Sequence, residues 1–160
     1  MKKKILYIDM DGVLCDFIGA VNKHPDKENY SSNRYDMIPD IYKDLPPMKD
    51  AISSFESLWE VFDVYILSTA PWRNPNAWIH KKDWVEKYIP KAKRRLILSH
   101  HKNLNKGDFL IDDSDYRGQK KFEGEWIHFG NDKFPDWKSV LKYLKVKTKS
   151  LSNQTELYKD

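Results

Sequence analysis

The stretch YIDMDGVLCDF sets two aspartates, Asp9 and Asp11, one residue apart at the end of an apolar run, with Gly12 directly behind them. Side chains alternate along an extended segment, so the two acids share a side. Glycine then lets the backbone leave the strand through conformations that other residues resist. Unpaired carboxylates are costly inside a strand, and two that lie close raise one pKa unless a cation sits between them. The pattern suits a metal site, a proton-transfer pair, or both. In isolation, an acidic turn capping the next helix would look the same.

Other strand ends narrow the choice. FDVYILST closes on Ser68 and Thr69, RRLILS leads through Ser99 to Lys102, and GDFLIDD closes on Asp112 and Asp113. Each has an ordinary reading on its own: a helix cap, a solvated lysine, an acidic turn. Taken together, four acids, hydroxyls and a lysine are the groups that phosphoryl transfer uses. Carboxylates serve Mg²⁺ and supply a nucleophile, while fixed cations and donors hold the phosphoryl oxygens.

The elements that must position these groups follow from the rhythm of the chain. ILYID, FDVYILST, RRLILS, GDFLIDD and EWIHFG read as strands, and GVLCDFIGAVNK, MKDAISSFESLWE, NPNAWIHKKDWVEKYI and FPDWKSVLKYLK as helices. Strands alternating with helices predict an α/β fold with a parallel sheet covered on both faces. Ligands then bind beyond the carboxyl ends of the strands, where the residues above converge. Two segments break the rhythm. HPDKENYSSNRYDMIPDIYKDLPP, rich in Pro, Asn, Asp and Tyr, reads as an insertion, and KVKTKSLSNQTELYKD as a polar tail, frayed or loosely docked.

The 160 residues suit one domain with a real core. A net charge of +4 is mild for a protein that grips duplex nucleic acid, which argues against a polymer partner. The single Cys15 cannot form an internal disulfide, which fits a reducing compartment. No apolar run is long enough for a membrane span, so the expected setting is the cytoplasm, with no membrane partner. The oligomeric state is not legible in the sequence.

The order D-x-D-G-V, a strand ending in ST, a downstream lysine and a strand ending in DD resembles the haloacid dehalogenase (HAD) superfamily of aspartyl phosphotransferases. More narrowly, DMDGVLCDF, VYILSTAP, WVEKYI, HKNLNKGDFLIDDSDYRG and DWKSVLKYL resemble the 5'(3')-deoxyribonucleotidases. The resemblance covers residues 1 to about 145. It implies a Rossmann-like, HAD-like core over residues 1–17 and 47–145, a small cap inserted at 18–46, and a polar tail at 146–160.

The resemblance further implies an Mg²⁺-dependent phosphatase of nucleoside monophosphates. Asp9 would be the nucleophile and Asp11 the acid/base. Mg²⁺ would sit among Asp9, the Asp11 backbone carbonyl and the Asp112–Asp113 pair, with Asp113 the direct ligand and Asp112 behind it. Ser68, Thr69 and Lys102 would bind phosphate, and Phe17, eight residues beyond Asp9, would stack on the base. Lys81 also matches a family lysine, although a helical lysine is as readily solvated. The cap is shorter than in better-known members, and Tyr30, Tyr35 and Tyr42 are the candidates for its remaining aromatic contacts. Because a cap selects the substrate, a HAD phosphatase of phosphosugars or other small phosphates is the alternative reading. A phosphoacceptor signalling domain also combines acids, a hydroxyl and a lysine, but it needs a lone mid-chain acceptor where this chain has LSTAP. Trp84 and Trp137 sit at core spacing, Trp72 reads as either an overhang of the site or a surface turn, and the adjacent His100 and His101 point apart on extended chain.

Overall fold

The structure, a computed structural model, describes residues 2–156. The order along the chain is β1 (Ile5–Ile8), α1 (Phe17–Lys23), α2 (Ala51–Val61), β2 (Asp63–Ser68), α3 (Pro75–Tyr88), β3 (Leu96–Leu98), β4 (Phe109–Asp112), β5 (Glu125–His128) and α4 (Trp137–Glu156). The strands form one sheet in the order β3-β2-β1-β4-β5, every pairing parallel. The order reverses at β1, so the loops leaving β1 and its neighbours open a crevice at their carboxyl ends.

Register assigns the side chains to faces. Leu6 lies beside Val64 and Phe109, and Ile8 beside Ile66 and Ile111. This set faces the larger core, with Phe55 of α2, Trp84 of α3, and Trp137 and Val140 of α4. Tyr7, Leu67 and Leu110 face the other way, under Phe122. The crossovers on that side, residues 99–108 and 113–124, carry only single 3-10 turns, being too short for the usual helical crossover.

The helix expected from Gly12 begins instead at Phe17. The amides of Val13, Leu14 and Cys15 all donate to the Met10 carbonyl in a tight turn, and Gly12 has a φ of 73°. Asp16 is the N-cap, its carboxylate accepting from Gly19 N at 2.9 Å. α3 starts as its Asn-Pro predicts, with Pro75 at the first helical position.

Residues 27–29 and 32–37 form 3-10 turns, and the second contributes Ser32, Asn33, Tyr35 and Asp36 to the cleft that holds Asp9 and Asp113. The chain between α1 and α2 returns through Ile38, Ile41, Tyr42 and Leu45, all buried in the larger core. Trp84 Nε1 donates to Leu45 O at 2.8 Å, and Trp137 Nε1 to Val13 O at 2.9 Å, so both rings pack and fasten a loop. From residue 146 the polar tail continues α4 to Glu156; residues 157–160 lie outside the described residues. No described helix is long and apolar enough to cross a membrane.

Candidate active site

Asp9 follows β1 directly, and its amide donates to Ile111 O at 2.9 Å. That bond extends the β1–β4 register by one residue and sets Asp9 beside Asp112. Lys102, on a 3-10 turn in the β3–β4 crossover, is 2% exposed. Its Nζ lies 2.9 Å from Asp9 Oδ1 and also pairs with Asp112 Oδ2. The other Asp112 oxygen accepts from Ser114 N, Ser114 Oγ and Gln119 Nε2. Asp112 is thus fully buried with both oxygens engaged, whereas Asp113 lines the open cleft.

The second half of the site comes from the opposite face of the sheet. Lys81 sits among Ala77, Trp84 and Val85 on the buried stripe of α3 and is 1% exposed. Its Nζ donates to Asp11 Oδ2 at 2.7 Å and to Ser68 Oγ at 3.1 Å. Lys81 is therefore central to the site and not a solvated helical lysine. A lysine at i+4 from Ala77, within the Trp84–Val85 stripe, was the available signal. Ser68 is buried beneath the rim, while Thr69 reaches the cleft with its hydroxyl donating to Ser99 O at 2.7 Å.

The charges do not balance. Four carboxyls, Asp9, Asp11, Asp112 and Asp113, meet two ammonium groups, so full ionisation would leave the cluster short of two positive charges. Asp113 is exposed on the cleft, yet the surrounding protein partly desolvates its carboxyl and this, followed by the charges of Asp9 and Asp112, pushes it up to about 7. Burial and the Asp9 charge raise Asp112 to about 6 against the pull of Lys102. Asp11 is raised by burial, Lys81 opposes the shift, and the Asp9 charge adds to it. Burial lowers the Lys102 ammonium, but Asp9 and Asp112 outweigh it and its pKa is raised.

A divalent cation fits this arrangement. Asp9, Asp112 and Asp113 each offer an oxygen, all within 4.8 Å of one another. Asp9 Oδ1 is buried, with the Lys102 ammonium 2.9 Å away as its counter-charge. The donors are hard oxygens, the set Mg²⁺ prefers. Gly12 keeps the loop close: a Cβ there would overlap the Asp113 carboxylate.

Above the acids lies a cleft of about 500 Å³. Phe17, Tyr42 and Tyr35 form an aromatic wall, Asn33 and Asp36 the rim of the inserted segment, and Tyr116 and Arg117 the opposite lip. Phe17 and Tyr42 stack with centroids 5.3 Å apart and planes 25° apart. Tyr30 packs against the core instead. Trp72 is 80% exposed with its ring against His100, and neither it, His100 nor His101 lines the cleft.

A parallel sheet with a D-x-D turn beyond its central strand and an acidic pair beyond the neighbouring one is a fold of the HAD type. The family model described as "5' nucleotidase, deoxy (Pyrimidine), cytosolic type C protein" matches residues 24–142. A protein of Vibrio phage KVP40 named "Putative 5'(3')-deoxyribonucleotidase" is 53% identical over 149 residues, 92% of this chain and 88% of that one. The 5'(3')-deoxyribonucleotidase of Bacillus subtilis is 28% identical, covering 79% of this chain and 85% of its own. The solved HAD domain of the effector Lem4 from Legionella pneumophila aligns at a TM-score of 0.47 and 14% identity, over 89% of this chain and 93% of that one, too distant a likeness to bear on the assignment. The chain belongs to the 5'(3')-deoxyribonucleotidase family of phosphoric monoester hydrolases.

Proposed function

We propose that the protein hydrolyses deoxyribonucleoside monophosphates with Mg²⁺, through an aspartyl phosphate on Asp9. The observation that carries this reading is the cluster of Asp9, Asp112 and Asp113, with an oxygen of each within 4.8 Å of the others, at the floor of an aromatic-walled cleft. A phosphate dianion brings further negative charge to a site in which carboxyls already outnumber ammonium groups. Mg²⁺, held by Asp9, Asp113 and the Asp11 backbone carbonyl with Asp112 behind, would neutralise charge on the transferring phosphoryl group.

The chain's own groups then divide the work. An Asp9 oxygen attacks phosphorus, the bond to the nucleoside oxygen breaks, and Asp11 gives that oxygen its proton. Burial raises the Asp11 carboxyl above the ordinary carboxylate range against the pull of Lys81, a shift that favours the protonated form its acid role needs. The carboxylate so formed takes a proton from water as the water attacks phosphorus, releasing phosphate and free Asp9. Lys81 holds Asp11 in place. Ser68 accepts from Lys81, which leaves its own proton available for a phosphoryl oxygen, as is the Thr69 amide. Lys102 steadies Asp9 and neutralises phosphate charge.

The segment 18–46 serves as a small cap on the core of residues 1–17 and 47–145, and Phe17 supplies a stacking surface for the base. That wall favours a nucleotide over a phosphosugar. The buried, free Cys15 agrees with a cytoplasmic setting. Phosphate release with Mg²⁺ across a panel of nucleoside monophosphates and sugar phosphates tests the reading. Deoxynucleotides should turn over fastest, and preferential turnover of sugar phosphates would replace it with the alternative.

A further inference from the structure

The ring of Tyr42 touches both halves of the site. On one side it stacks on Phe17. Lys81 Nζ also lies over it, 4.9 Å from its centroid, and the same ammonium holds Asp11 at 2.7 Å. Tyr42 itself cannot readily move. It is 4% exposed, and its turn is fastened to α3 by the bond from Trp84 Nε1 to Leu45 O and by the Lys87–Asp44 ion pair. Helix α3 therefore holds Lys81 and anchors the segment that presents Tyr42.

We propose that Tyr42 is a positioning residue that ties the nucleoside wall to the acid/base group. It holds the Phe17 ring at the cleft and confines the Lys81 ammonium above its own π face, an attraction that strengthens where water is excluded. The inference rests on the nucleotidase reading for the Phe17 half and on the ion pair alone for the Lys81 half. Its consequence is that one side chain outside the reacting set governs both how tightly the nucleoside is held and how fast phosphate is released.

Steady-state kinetics of the Mg²⁺-loaded enzyme on a deoxynucleoside 5'-monophosphate and on p-nitrophenyl phosphate separate the two halves. For Tyr42→Leu we expect KM for the nucleotide to rise about tenfold while KM for the small substrate changes less than twofold, because only the nucleotide uses the wall. The kcat for both should fall by a similar factor, about three- to tenfold, because both use Asp11. Tyr42→Phe keeps the ring and should restore every parameter. If Tyr42→Leu does not fold, Tyr42→Met carries the same test with a bulkier side chain. Equal changes in KM for both substrates, an unchanged kcat, or failure of Tyr42→Phe to restore activity overturns the proposal. If the wild-type enzyme ignores nucleotides, the nucleotidase reading fails by itself, and the kcat on p-nitrophenyl phosphate still decides the link to Lys81.

Discussion

Lys81 Nζ lies 2.7 Å from Asp11 Oδ2, so a helix that begins after β2 secures a carboxylate on the loop leaving β1. The lysine is buried and Asp11 is partly open to the cleft, which leaves the acid accessible while its counter-charge is shielded. Burial raises the Asp11 pKa and Lys81 restrains the rise.

Removing that restraint has a definite sign. In Lys81→Ala the Asp11 carboxyl keeps its burial and loses its cation, so it holds its proton to higher pH. The alkaline limb of the kcat/KM profile, set by the protonated Asp11 that serves the leaving oxygen, should move to higher pH, and kcat should fall by roughly 10²-fold as the base step suffers. A profile superimposable on that of the wild type would show that Lys81 only packs.

Asp9→Asn should abolish turnover, since an amide is a poor nucleophile and a poor ligand. Asp11→Asn keeps the backbone carbonyl and should retain Mg²⁺ affinity by titration calorimetry, while its rate drops roughly 10²- to 10⁴-fold. Comparable activity in both variants would reassign the two roles.

The reach of sequence reasoning has a physical boundary here. Asp9, Asp112, Asp113, Thr69 and Lys102 were legible because each stands at or just beyond a strand's carboxyl end, where a parallel sheet gathers its ligands. Lys81 was legible only through the family resemblance and stayed open between the site and solvent, because α3 also carries exposed Lys82 and Lys87 and only the stripe Ala77, Trp84, Val85 sets it apart. The start of α1 was misplaced because apolar Val13, Leu14 and Cys15 continue a helical pattern although their amides converge on one carbonyl. Tyr42 could not be separated from Tyr30 and Tyr35, since the insertion lacks a period and its contacts depend on how it returns to the core.

The metal-free protein should respond to pH through Asp112 and Asp113. Their carboxyls stand at about 6 and about 7, above the unfolded value of about 3.9. A raised acid binds its proton more tightly folded than unfolded, so its contribution is greatest at low pH and is lost as pH rises from roughly 4 to 7. Mg²⁺ takes the deprotonated form and releases protons. Without metal, Tm should fall across that window, and Mg²⁺ should raise Tm more at its upper end than at its lower. A Tm gain from Mg²⁺ independent of pH would place the ion elsewhere.

Phe17 separates a nucleotidase from a general phosphatase. Phe17→Ala should cost about 1–3 kcal/mol in kcat/KM for deoxynucleotides, leave p-nitrophenyl phosphate nearly unaffected, and lower Tm only slightly because the ring is half-buried. Parallel losses on both substrates with a collapsed Tm would make Phe17 a packing residue.

In the proposed reaction Asp9 forms a bond to the phosphorus of a nucleotide. Acid-quenching the wild-type enzyme during turnover of a deoxynucleoside 5'-monophosphate labelled in its phosphate, with Mg²⁺ present, tests this directly. Label is expected on the peptide containing Asp9, lost on incubation with hydroxylamine, and absent in Asp9→Asn. Labelled phosphate released at full rate with no label on the protein at any quench time would contradict it.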